Sequence, residues 1–212
     1  MTLSEKAKKV LDILEKEYPN PKIALNFKTP LELLIATILS AQCTDERVNK
    51  TTPVLFKKYK KTKDYAEADL KELEGYISSI NFFRNKAKNI QACCKKIVNE
   101  FGGEIPDTLE RLITLPGIGR KTANIVLISA FGKDAIAVDT HVKRVASRIG
   151  LAASDNPDKI EAELCKIIPQ KRWIKATNLL ILHGRNTCVA KKPKCEICKI
   201  KDYCNYFKGP CA

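Results

Sequence analysis

The sequence predicts an all-α protein. Three observations carry that reading. Apolar residues recur at helical spacing along most of the 212 residues. Capping residues, prolines and glycines punctuate the chain at helix-length intervals, and no stretch sustains the period-2 alternation of a strand.

Taken in order, the first helix is expected over Ser4–Tyr18, with Val10, Leu11 and Leu14 on one side, lysines on the other and Pro19 beyond its end. Thr29-Pro30-Leu31-Glu32 combines an N-cap, a first-position proline and a capping-box glutamate. The apolar run that follows, to Leu39, is too broad for a surface helix and is expected in the core. Further helices are expected over Glu46–Tyr59 (interrupted or restarted at Pro53), over Asp69–Ile77, and over Asn85–Phe101, which stops on Gly102-Gly103. Asp107-Thr108-Leu109-Glu110 reads as a second capping box, opening a short helix to about Thr114. Lys121–Phe131, Thr140–Ile149, Pro157–Ile168 and Arg172–His183 complete the series, the first three closed by Gly132, Gly150 and Pro169. There is no long linker, repeat or low-complexity segment, and a boundary is expected near Gly132–Asp134.

Charge narrows the partner. Lys+Arg number 38 against 24 Asp+Glu, a formal net charge of +14, which favours a polyanion such as nucleic acid. Lysine-rich solvated faces would produce the same excess. Met1–Ala7 runs straight into a charged helical pattern and does not read as a signal peptide. Runs such as Leu33–Leu39 and Ile125–Phe131 are far too short to cross a bilayer. The expected location is cytoplasmic, nucleoid-associated in a prokaryote. Of nine cysteines, Cys43, Cys93, Cys94 and Cys165 are scattered and five crowd between Cys188 and Cys211. In a chain without an export signal, such crowding points to a metal rather than to disulfides.

Between two helical patterns lies Leu115-Pro116-Gly117-Ile118-Gly119-Arg120-Lys121-Thr122-Ala123. Pro116 fixes one backbone angle, and Gly117 and Gly119 permit conformations closed to other residues. Backbone N–H groups of such a hairpin, with the start of the following helix, can approach a phosphodiester closely, and Arg120, Lys121 and Thr122 add donors. The string resembles the helix-hairpin-helix motif of DNA-binding proteins. Its grip on backbone carries no sequence readout.

Lys121 falls at the expected N-terminus of a helix, where the dipole disfavours an ammonium ion, and a lysine attacks only as the neutral amine. It could form a Schiff base with a deoxyribose carbon; a plain phosphate contact is the simpler reading of the same residues. Asp139, in Val138-Asp139-Thr140-His141-Val142, is either an N-cap or a carboxylate that stabilises positive charge on a sugar or handles a proton. A carboxylate close to Lys121 would work against the helix dipole.

Cys188, Cys195, Cys198 and Cys204 follow C-x6-C-x2-C-x5-C. Four thiolates from one short loop suit a four-iron, four-sulfur cluster or a structural zinc; with only one C-x2-C knuckle the spacing leans to iron–sulfur. Cys211 is a rival ligand, a free terminal cysteine being the simpler reading. The stretch from Arg185 to Lys201 is basic, with Arg185, Lys191, Lys192, Lys194, Lys199 and Lys201 against Glu196 alone; it suits a DNA backbone, and charges that only keep the loop soluble would look the same.

With these pieces in place, the chain resembles the endonuclease III family of DNA glycosylases and AP lyases, in the helix-hairpin-helix superfamily. The likeness rests on Leu39-Ser40-Ala41-Gln42-Cys43-Thr44-Asp45, Leu115–Ala123, Val138–Val142, Ile181-Leu182-His183-Gly184-Arg185 and the four-cysteine spacing. The resemblance implies a [4Fe-4S] cluster on Cys188, Cys195, Cys198 and Cys204. It implies two helical domains with DNA bound in a groove between them. One is a six-helix barrel over 23–132, holding the helix-hairpin-helix at about 108–127; the other joins 1–22 to 133–212 and carries the cluster. The implied partner is double-stranded DNA with damaged bases or abasic sites, bound by a monomer.

The implied activity is bifunctional base excision: an oxidised pyrimidine is flipped out, the Lys121 amine displaces it at C1′ with help from Asp139, and β-elimination cuts the strand 3′ to the site. Gln42 would fill the gap left by the flipped base and Phe82, in Asn81-Phe82-Phe83-Arg84-Asn85-Lys86-Ala87, would wedge into the stack. Many relatives have leucine at the wedge with glycine before it, so Asn81-Phe82 departs from the pattern. Gly117, Gly119, Arg120, Thr122, His141, Arg185, Lys191 and Lys192 complete the expected DNA contacts, and Cys43 is expected as a small buried residue. An adenine glycosylase of the same superfamily would lack the nucleophilic lysine and carry a further C-terminal domain, whereas this sequence has Lys121 and ends at Ala212. A non-catalytic DNA clamp with a redox-sensing cluster would leave Lys121 and Asp139 together unexplained.

Overall fold

A computed structural model describes residues 1–208 of the chain. Among the described residues there are twelve α-helices, two 3-10 turns and no strand. The first, α1 (Leu3–Glu17), opens on the capping box of Thr2 and Glu5 and buries Val10, Leu11 and Leu14. Next come α2 (Pro30–Ser40), α3 (Asp45–Lys58), α4 (Thr62–Ala66), α5 (Leu70–Tyr76), α6 (Phe83–Phe101), α7 (Leu109–Leu112) and α8 (Arg120–Phe131). They are followed by α9 (Thr140–Ile149), α10 (Pro157–Ile167), α11 (Trp173–Asn186) and α12 (Asn205–Lys208).

The chain divides into two compact units, Met1–Ile23 with Lys133–Ala212, and Ala24–Gly132. In the second, α2 is the central element: Leu33, Leu34, Ile35, Ala36 and Leu39 are wholly buried, and the helix packs on α3, α6 and α8. Each such aliphatic side chain contributes roughly 1.5–3 kcal/mol on burial. In the first unit, Val10, Leu11 and Leu14 of α1 meet Val142, Val145 and Ile149 of α9 and Leu179 and Leu180 of α11 in one apolar cluster.

Three local expectations change. Pro53 neither interrupts nor restarts α3, which runs unbroken through it. Pro53 is exposed, while Val48, Thr52 and Leu55 on either side of it are buried, so packing offsets the roughly 3 kcal/mol cost of an internal proline. The start of α7 falls one residue later than the expected cap at Asp107: its N-cap is Thr108, whose side chain makes no cap bond. And α11 runs on to Asn186 after a 3-10 turn at Gln170–Arg172, so Arg185 lies on the last helical turn rather than in the cysteine loop.

Candidate functional site

In the unit Ala24–Gly132, the hairpin is anchored from beneath by Leu115 and Ile118, which are 2% and 6% exposed. Gly117 has φ +78, which favours glycine, and a Cβ there would crowd the Asn89 side chain on α6 at 3.1 Å. Gly119 differs. A Cβ there would meet nothing within 4 Å, so packing does not require glycine at this position. As N-cap of α8 it offers no side chain to the first-turn N–H groups, which keeps the helix start open to an anion. Lys121 is exposed on that first turn and Thr122 is half-buried beside it.

Gln42 and Phe82 both have left-handed backbone, with φ 53 and 59. Phe82 is 62% exposed and starts α6 with no polar cap. Non-glycine residues held in this region cost of order 1–3 kcal/mol each and collect at functional sites. Hydrogen bonds hold the Gln42 turn there. The Asn81 amide donates to the Gln42 carbonyl at 2.8 Å, and the buried Lys86 ammonium donates to the carbonyls of Leu39 (2.8 Å) and Ala41 (2.6 Å). Burial pushes Lys86 below its ordinary value. Cys43, expected to be buried, is only half-buried, because it follows the Gln42 turn at the surface.

In the other unit, Asp139 is the N-cap of α9. Its Oδ1 accepts from the backbone N–H groups of His141 and Val142, both at 2.8 Å. Neither bond uses Oδ2. His141 Nδ1 lies 3.1 Å from Arg144 Nη2. A guanidinium only donates, so in this contact Nδ1 is the acceptor.

Two residues that sequence reasoning missed hold the cysteine loop to α9. Arg144 donates to the carbonyls of Cys188 (3.0 Å) and Gly184 (2.7 Å). Arg148 donates to the carbonyls of Val189 (2.8 Å) and Ala190 (3.0 Å) and lies 3.5 Å from the Cys188 Sγ. The only sequence signal was an i, i+4 arginine pair beside the buried stripe of α9. Their reach depends on close packing at Gly184, where a Cβ would come within 2.8 Å of the His141 Cβ.

Cys188, Cys195, Cys198 and Cys204 line one small pocket with Ile149, Ile200 and Phe207. Burial pushes the Cys198 thiol up to about 11 and Cys195 upward as well, so neither would ionise unaided at neutral pH. His183, buried beside them with Nε2 3.7 Å from the Cys198 Sγ, is pushed down to about 4 by burial and is neutral. Among the described residues no three donors close on a point that one ion could occupy. Four thiols ringing a cavity suit a cluster with one thiolate per iron better than a single tetrahedral zinc. Cys211, the rival ligand, lies outside the described residues. Lys191 and Lys192 are exposed on the loop, and Lys192 has φ 53. Gln42, Phe82 and Lys192 are the three non-glycine residues with positive φ among those described. All three are expected DNA contacts.

Fold and site together define a helix-hairpin-helix DNA repair protein with an iron–sulfur site. Residues 35–170 match the HhH-GPD superfamily of base excision DNA repair proteins, and residues 188–204 match the iron-sulfur binding domain of endonuclease III. The chain is 52% identical over 201 residues to endonuclease III of Synechocystis sp., covering 94% of this chain and 92% of that protein. It is 42% identical over 197 residues to endonuclease III of Escherichia coli K12, covering 93% of each. A solved structure of a trapped covalent intermediate of endonuclease III with DNA superposes with a TM-score of 0.93 at 44% identity, covering 98% of each chain. The chain belongs to the endonuclease III family. It is a DNA glycosylase with AP lyase activity, acts in base excision repair and carries a [4Fe-4S] cluster. No helix of the described residues is long and apolar enough to cross a membrane.

Proposed function

We propose that this enzyme acts as a monomer, in the compartment that holds the DNA, and removes oxidised pyrimidines such as thymine glycol and dihydrouracil from the duplex. Lys121 is the nucleophile. Its neutral amine attacks C1′ as the C1′–N bond breaks and the base leaves with the bonding pair, taking up a proton. Opening of the sugar ring gives a Schiff base. Loss of a C2′ proton then expels the 3′ phosphate by β-elimination, cutting the strand.

Asp139 assists through Oδ2, the oxygen its cap bonds leave unused, by stabilising positive charge on the sugar or carrying a proton. Gln42 and Phe82 replace the flipped nucleotide, and Gly117, Gly119, Arg120, Thr122, His141, Arg185, Lys191 and Lys192 hold the backbone. Cys188, Cys195, Cys198 and Cys204 would hold the cluster, which would tie down the loop that presents Lys191 and Lys192.

The observation that carries this reading is an exposed lysine on the first turn of α8, directly after a hairpin whose cap position is left open. The similar structure, in which endonuclease III is covalently trapped on DNA, supports it. Borohydride trapping on a duplex with an oxidised pyrimidine tests it. The wild type should give a covalent adduct and Lys121→Gln none. An adduct that persists in Lys121→Gln would remove Lys121 from the role.

A further inference from the structure

The two residues expected to replace the flipped nucleotide lie 40 positions apart in sequence, on different turns, and each has a backbone conformation its side chain disfavours. Three hydrogen bonds tie the segment before Phe82 to the Gln42 turn and to α3, which follows that turn. The Arg47 guanidinium donates to the Ser79 carbonyl at 3.3 Å, the Thr51 and Ser79 hydroxyls are 3.0 Å apart, and the Asn81 amide donates to the Gln42 carbonyl at 2.8 Å. Only the last involves Gln42 itself, and it comes from the residue next to Phe82. Lys86, one turn into the helix that Phe82 caps, fixes the Gln42 turn from its other side through the carbonyls of Leu39 and Ala41.

We propose that Asn81 is a positioning residue that joins Gln42 and Phe82 into one rigid reader, so that wedge and gap-filler enter the duplex together. A glycine at this position could not make the bond. The inference rests on the reading of Gln42 and Phe82 as the residues that replace the flipped nucleotide. Without the tether the Gln42 peptide is free to leave its left-handed conformation, and ordering it again must precede each unstacking event. Asn81 touches no reacting atom; its effect falls on the step that opens the base stack.

The test is stopped-flow fluorescence of 2-aminopurine placed beside an oxidised pyrimidine, using the full-length, cluster-loaded enzyme. Asn81→Ala, and Asn81→Asp, which keeps the shape but has no N–H to give, should each slow the fluorescence rise about three- to tenfold, as expected for one lost hydrogen bond. Thermal melting should be unchanged. Both variants should match the wild type when the lesion sits in an unpaired bubble, where no stack has to be opened. Phe82→Ala should slow the rise more than either. If both Asn81 variants stay within about twofold of wild type while Phe82→Ala is slow, the tether is wrong and the wedge stands. Equal slowing on duplex and bubble, or a lowered melting point in both variants, would also overturn it, since the bond would then be merely structural. A Phe82→Ala that unstacks at the wild-type rate overturns the wedge reading and the tether with it.

Discussion

Two helices that begin twenty positions apart start in opposite ways. At α9, Asp139 closes the helix with one carboxylate oxygen that takes two backbone N–H groups, both at 2.8 Å. At α8, Gly119 occupies the same cap position and offers nothing. The difference separates two uses of one piece of physics. A helix start has up to four N–H groups without intrahelical partners and a positive dipole end. Capped from within, it becomes a rigid mount for the capping residue; left open, it becomes a binding site for an external anion.

Removing the charge at α9 without removing its cap should give the largest effect. Asp139→Asn keeps an amide oxygen for the N–H groups of His141 and Val142, so thermal stability should move little. Base excision measured in single turnover should fall by about two to four orders of magnitude, the usual worth of a positioned proton-transfer or charge-stabilising group. Asp139→Ala should lose as much activity and about 1 kcal/mol of stability besides. Near-wild-type excision by Asp139→Asn would reduce this aspartate to a cap.

Giving α8 the cap that α9 has should produce the next effect. A Cβ at Gly119 meets open space and its φ of −90 suits any residue, so Gly119→Asp should fold normally. It should be more stable by a few tenths of a kcal/mol. Its carboxylate would occupy the phosphate's place, and the affinity for duplex DNA should drop by about tenfold to a hundredfold through like-charge repulsion. Gly119→Ser, which caps without charge, should fall between. Undiminished binding by Gly119→Asp would mean that the open helix start does not meet the phosphate.

Much of this was legible in the sequence because it is local. Thr29-Pro30, Asp139-Thr140 and the hairpin from Leu115 to Ala123 each carry their cause within a few residues, and the helices form at those positions. What was not legible depends on distant partners. Pro53 reads as a break until the buried residues flanking it are known. Arg144 and Arg148 read as ordinary helix-surface charges, and their grip on the cysteine loop depends on how tightly α9 and α11 pack at Gly184. The left-handed backbone at Gln42 and Phe82 contradicts local preference outright, and only the bonds from Asn81 and Lys86 account for the first of them.

The smallest expected effect lies in the cysteine loop, where Lys191 and Lys192 are adjacent, exposed and alike in charge but differ in backbone. Each should account for about one unit in the slope of log affinity against log salt, so Lys191→Ala and Lys192→Ala should bind DNA less tightly by similar factors, whatever the sequence. Stability should tell them apart. Lys192 has φ 53, so Lys192→Gly removes a Cβ from a left-handed position and should gain up to about 1 kcal/mol, whereas Lys191→Gly has no such strain to relieve. Denaturant titration of both glycine variants, with the salt slopes measured alongside, separates strain from charge. If Lys192→Gly proves no more stable than Lys191→Gly, the loop does not hold Lys192 against its preference. Lys192 would then be an ordinary phosphate contact, and the strained conformations tied to DNA reading would be confined to Gln42 and Phe82.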